Sequence, residues 1–259
     1  MAKLIGILSG KGGVGKTTSA VNLAAALNST FNKNVVVVDC NITTPHVGLT
    51  LGLVHDSIST LNEVLVGKKR MEEVMHSISP GFSVVPASLS IHDLKGIDIS
   101  KLGDTLKEKF DDYDYVFLDG AAGLGRESVS TIRASDELIF VATPYLTSIS
   151  DIIRLKQTTN EIGKNILGTI VNMKHKMHSE LTEKQIENFT QLPVLGVISY
   201  DDEVLSSLVA KQPIVFHNER SKTSKEFVKI ASMIAGEDYL REDNWLSRLT
   251  EFFFKPFKR

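Results

Sequence analysis

Two lysines frame one glycine-rich octapeptide, Gly10-Lys11-Gly12-Gly13-Val14-Gly15-Lys16-Thr17, and this spacing is what a phosphate-binding loop requires. The segment fits the G-x-x-x-x-G-K-[ST] pattern. It follows a short apolar run, Leu4–Leu8, and opens a helical pattern over Thr17–Leu27. Glycines let successive backbone N–H groups turn inward around phosphate oxygens, and the helix N-terminus adds partial positive charge. Lys16 would neutralise the β- and γ-phosphates and the Thr17 hydroxyl would ligate Mg2+, with Thr18 the next residue of the same cradle.

Two carboxylates stand at the ends of apolar runs. Val35–Val38 is followed by Asp39, and Tyr115–Leu118 by Asp119. In an open α/β sheet the carboxyl ends of the strands line the ligand crevice. Asp39 is therefore placed to meet Mg2+ or its waters, and Asp119 reads as the acidic residue of a Walker B arrangement near the same ion.

Holding these groups together takes a parallel sheet. Further short apolar runs occur at Phe82–Val85, Leu138–Ala142, Ile166–Val171 and Val194–Ile198, continuous rather than alternating, as in strands buried on both faces. Helical patterns lie between them at Ile99–Phe110, Ser148–Ile162, Thr182–Phe189 and Ser221–Ala235. Thr60 with Glu63, and Thr182 with Gln185, have the spacing of capping boxes at helix starts. The alternation predicts an α/β fold: a three-layer α/β/α P-loop NTPase with a mostly parallel central sheet. With no internal repeat or Pro/Gly/Ser-rich linker, one domain is expected over residues 1–235.

The 259 residues are 42% hydrophobic with a net charge of −2 and one cysteine. That composition fills a core, and a single Cys40 excludes internal disulfides and multi-cysteine metal or iron–sulfur sites. No signal peptide or apolar stretch long enough to span a bilayer is present, so the expected location is cytoplasmic. His175 and His178 have helical spacing, but flanking lysines repel a cation, and the segment reads as a solvated basic loop.

Residues 236–243 form a polar connector, and 244–259 a distinct tail. Trp245, Leu246, Leu249, Phe252 and Phe253 make one stripe of a helix, with Arg248, Lys255, Lys258 and Arg259 supplying cations. Too short to span, this tail suits the interface of an anionic membrane, peripheral on the inner face of the cell membrane. Partial insertion of one tail binds weakly, whereas two on a dimer gain about 10² to 10⁴ in avidity.

The run GKGGVGKTT resembles the deviant Walker A motif of the MinD/ParA class of ATPases. The resemblance implies ATP and Mg2+ as cofactors, and an ATP-dependent homodimer in which Lys11 reaches the partner's nucleotide. D-x-x-A-G at Asp119–Gly123 is similar to the second switch of the class, implying that the Gly123 N–H senses the γ-phosphate. Asn172 matches a position that contacts adenine, with Ser199-Tyr200-Asp201 as the other wall, and no N-K-x-D guanine motif occurs. Where the class usually has D-x-D, this chain has Asp39-Cys40-Asn41. An amide can orient a water but cannot take its proton, so slow hydrolysis is expected. The class also carries C-terminal membrane-targeting helices, which implies reversible membrane binding and the positioning of regulatory or cargo proteins in cell division or polar placement.

Rival readings are a DNA- or cargo-partitioning ATPase of the ParA type and a non-hydrolysing nucleotide-gated scaffold. The near-neutral charge and aromatic tail weigh against DNA, and Asn41 keeps the scaffold open. A biosynthetic ligase of similar fold would explain neither Lys11 nor the tail.

Overall fold

The computed structural model describes residues 2–53, 58–106, 109–175 and 177–237. β1 (Lys3–Ser9) leads into α1 (Lys16–Phe31), and β2 (Val35–Asp39) follows. Two short helices, α2 (Val47–Thr50) and α3 (Leu61–Leu65), precede β3 (His76–Ser79) and β4 (Phe82–Val85). The chain continues through α4 (Leu102–Leu106), β5 (Tyr115–Ala122), α5 (Arg126–Ala134), β6 (Glu137–Ala142) and α6 (Leu146–Ile162). Then come β7 (Asn165–Lys174), α7 (Glu183–Thr190), β8 (Val194–Ser199), α8 (Asp202–Val209), α9 (Ile214–His217) and α10 (Lys222–Ala235).

The eight strands form one sheet in the order β3-β4-β2-β5-β1-β6-β7-β8. Only the β3–β4 pair is antiparallel. This is the expected α/β/α architecture, and the continuous apolar runs follow from it because each strand is covered twice. Val35 and Val37 join α1, α10, Ile5 and Ile7 on one face. Val36 and Val38 join Leu102 and Leu106 on the other, where Phe140 packs with Ile149 and Ile152 of α6. β1 lies between β5 and β6, so the phosphate loop leaves the sheet at its centre.

Both capping boxes are formed. The Thr60 N–H donates to Glu63 at 3.0 Å and the Thr182 N–H to Gln185 at 2.9 Å. Two elements differ from expectation. β3, His-Ser-Ile-Ser, is an edge strand too polar to stand out as an apolar run; a turn at Gly81, with φ +79°, folds it onto β4. The helix expected over Ile99–Phe110 starts as a 3₁₀ turn at Ile99–Lys101 and runs on as α4, with Lys109 and Phe110 outside any helix. Leu102, Leu106 and Phe110 are all buried, which explains their i, i+4, i+8 spacing. No helix among the described residues is long and apolar enough to cross a membrane.

Candidate active site

β1 ends at Ser9 and α1 starts at Lys16, so residues 10–15 must turn the chain within six positions. Gly13 and Gly15 do so with φ of +77° and +86°, the left-handed region that glycine enters without strain. A Cβ on Gly15 would lie 2.1 Å from the Asn172 amide nitrogen, and one on Gly10 2.1 Å from the Asp151 Cβ. Gly12 and Gly13 face open space, with no atom within 4 Å of an added Cβ. Two glycines thus seat the loop on α6 and β7, while two keep its outer side clear.

Under the loop the predicted carboxylates meet the predicted cation. Lys16 Nζ is 2.5 Å from Asp119 Oδ1, and the Thr17 hydroxyl donates to Asp119 Oδ2 at 2.5 Å. Asp39 is the register partner of Asp119 on the adjacent strand, and both are fully buried. The Asp39 carboxylate accepts N–H bonds from Asn41 at 3.1 Å and from His46 and Val47 at 2.9 Å. Burial, followed by the Asp119 charge, nevertheless pushes its carboxyl up to about 7. Two carboxylates and one ammonium leave excess negative charge in a site walled off from water, which favours a bound cation.

The donor set fits Mg2+, which is held by one or two carboxylates with phosphate and water oxygens completing the octahedron. The open glycine cradle fits the phosphates. Among the described residues no group of three or more His, Cys, Asp or Glu side chains is placed to bind a metal by itself.

The remaining predicted residues surround this centre. Asn41 is buried, and its side chain closes on Thr44: the amide donates to the Thr44 carbonyl at 2.6 Å and its oxygen accepts the Thr44 hydroxyl at 3.0 Å. Gly123, at φ +79°, donates its N–H to the Ser9 carbonyl at 2.8 Å. Asn172 is buried and donates to the Val14 carbonyl at 2.8 Å, bracing the phosphate loop from behind. Next to it Met173 takes φ +58°, and His175 stacks on Tyr200 with ring centroids 4.5 Å apart. Cys40 is buried beside the carboxylates, and burial pushes its thiol well above the usual range.

Two acidic residues carry no signal in the sequence. Asp151 of α6 lies 3.5 Å from the ammonium of Lys11, whose side chain is 47% exposed. Glu127 of α5 accepts hydrogen bonds from Thr43. Each reads in sequence as an ordinary helix-surface acid, and only the folding of distant segments onto one rim gives it a partner. The tail residues Trp245, Leu246, Leu249, Phe252 and Phe253 lie outside the described residues.

A family model described as ParA, NUBPL iron-transfer P-loop NTPase, matches residues 1–235. An ATP-binding protein of Methanocaldococcus jannaschii is 34% identical over 99% of this chain and 97% of its own length. The septum site-determining protein MinD from Pyrococcus horikoshii, solved with Mg-ADP, superposes with a TM-score of 0.85 at 27% identity, covering 96% of this chain and 98% of that one. The MinC:MinD cell division complex of Aquifex aeolicus gives 0.82 at 26% identity, over 93% and 99%.

Proposed function

The chain belongs to the ParA family of P-loop NTPases, and from that premise we propose that it is an ATPase switch that dimerises on ATP, occupies a membrane surface and positions partner proteins there. ATP and Mg2+ are its cofactors. The observation that carries this reading is the convergence of Lys16 and Thr17 on Asp119, beside the buried Asp39 and under an open glycine cradle. Residues 10–18 would hold the phosphates, and Thr17, Asp39 and Asp119 the ion, which neutralises charge on the transferring group. Asn172 would meet adenine through its amide oxygen, since its nitrogen is taken by Val14. Iron transfer is named for the matching family, but the one cysteine of the sequence, Cys40, is buried and offers no thiolate set for a cluster.

Lys11 supports dimerisation. Lys16 would serve the phosphates of its own chain, and among the described residues the Lys11 ammonium has only the long contact to Asp151, so it is available to a second copy's nucleotide. Asn41 supports slow turnover, because its amide cannot take the proton of an attacking water. A second reading, a nucleotide-gated scaffold that does not hydrolyse, rests on the same residue and its closure onto Thr44. The likeness to MinD proteins supports a role at division or polar sites with protein cargo, on the inner face of the cell membrane. Residues 244–259 would be the anchor, joined to domain 1–235 by connector 236–243.

Co-sedimentation with anionic vesicles tests the whole proposal. The full chain should pellet with ATP and stay in solution with ADP, and a chain ending at Glu242 should not pellet with either. A full chain that remains monomeric with saturating ATP and Mg2+, with and without lipid, overturns it.

A further inference from the structure

Hydrogen bonds tie the two nucleotide-facing loops together through a carboxylate outside every motif in the sequence. Glu127 Oε1, in the first turn of α5, accepts the backbone N–H of Thr43 at 2.9 Å and the Thr43 hydroxyl at 2.6 Å. Thr43 lies between Asp39 and α2, in the loop that contains Asn41. Glu127 lies four residues beyond Gly123, at the end of the segment that begins with Asp119. The two partners are 84 positions apart in sequence.

The loop has two other sets of anchors, and both are local. Asp39 receives the N–H groups of Asn41, His46 and Val47, while Asn41 and Thr44 close on each other. These bonds shape the loop and hold its two ends to the close of β2, but none of them reaches α5. At the base of the loop the Cys40 N–H donates to the Asp119 carbonyl at 2.9 Å; among the described residues, the Glu127 bonds are the hydrogen bonds that join residues 41–46 to the segment that carries Gly123. Thr43 is exposed and Glu127 half-buried, and hydrogen bonds that compete with water add little to stability. What the pair does provide is a fixed distance between the loops.

We propose that Glu127 is a positioning residue for hydrolysis: through Thr43 it makes residues 41–46 and 119–127 move as one unit, so that Asn41 and Gly123 take their places together. The role is one of hydrogen-bond geometry, not of proton transfer. It rests on the ATPase reading of the same site.

The test uses the full chain with three substitutions, read by steady-state hydrolysis, thermal melting and amide exchange at Thr43. Glu127→Gln keeps an acceptor at the same reach, Glu127→Asp keeps the charge one methylene short, and Glu127→Ala removes both. E127A and E127D should lower kcat by about tenfold to a hundredfold, the usual cost of small misplacement. They should leave the KM for ATP and the melting temperature nearly unchanged, and speed exchange of the Thr43 N–H. E127Q should stay close to the parent in every measurement. E127Q as slow as E127A overturns the proposal in favour of a proton or charge role. Unchanged kcat in E127D, or slowed turnover with unaltered Thr43 exchange, overturns it as well. If E127A fails to fold, E127D and E127Q decide the matter. Absent turnover in the parent chain would count against the ATPase reading, while the exchange comparison would still decide the coupling.

Discussion

Asp39 and Asp119 are register partners on β2 and β5, two fully buried carboxylates side by side with Lys16 bonded to only one of them. Burial and the neighbouring charge push Asp39 up to about 7 from an ordinary 3.8. A carboxyl raised in the fold is neutral in both states at pH below about 4. As pH rises toward 7, the unfolded chain loses its proton while the folded site keeps its own. The stability this group contributes to the metal-free protein is therefore present at low pH and lost as pH rises through about 7. Melting temperatures without Mg2+ should fall over that window, and Asp39→Asn should flatten the fall. Because Mg2+ displaces the proton, Mg-ADP should raise the melting temperature more at pH 8 than at pH 6. A larger effect at pH 6 would contradict this account.

Asn41→Asp should accelerate hydrolysis. The substitution restores a group able to take a proton, and general bases contribute about 10²-fold at the lower end of their range. It also replaces the amide that donates to the Thr44 carbonyl at 2.6 Å with a second acceptor, so the loop should loosen and the melting temperature drop slightly. Matched measurements of kcat on the parent and variant chains check the rate. A variant no faster than the parent would mean that the residue at 41 does not limit turnover.

The phosphate loop, Asp39 and Asp119 were legible because each is specified locally, by glycine spacing or by a polar residue closing an apolar run. The seven apolar strands were legible for the same reason, whereas β3 was not, since an edge strand of His-Ser-Ile-Ser lacks the buried faces that leave a pattern. Pairings across the fold left no trace. Glu127 meets Thr43 only because α5 starts beside the loop after β2, and Asp151 meets Lys11 only because α6 packs against Gly10. The Gly123 N–H shows the same limit in reverse. The resemblance of its motif implies a phosphate sensor, but the bond to Ser9 it makes here follows from β5 running on past Asp119 to pair Ala122 with Ser9. For Gly123 to reach a γ-phosphate, that bond must open.

Asp151→Asn should strengthen ATP-dependent dimerisation a little, and Lys11→Ala should abolish it. The Lys11–Asp151 contact is long and Lys11 is half exposed, so the pair holds the lysine back by no more than about 1 kcal/mol, roughly a fivefold effect. Light scattering across a range of protein concentrations with ATP would read both. A Lys11→Ala chain that still dimerises with ATP would remove this lysine from the interface.

Removing the tail should separate membrane binding from nucleotide chemistry. α10 ends where Lys33 pairs with Glu237 at 2.7 Å and the Tyr115 hydroxyl donates to the Ile234 carbonyl at 3.3 Å. Lys33 precedes β2 and Tyr115 opens β5, so α10 ends beside the N-terminal ends of the central strands, whereas the phosphate loop leaves β1 at its C-terminal end. A chain ending at Glu242 should accordingly keep its ATP affinity, basal turnover and ATP-dependent dimer while losing vesicle binding. Lys11→Ala, with its tail intact, should also lose vesicle binding, because a single anchor lacks the gain of about 10² to 10⁴ that a second provides. If the lysine variant stays monomeric yet pellets with vesicles as well as the parent chain does, one tail is sufficient and dimerisation does not control membrane residence.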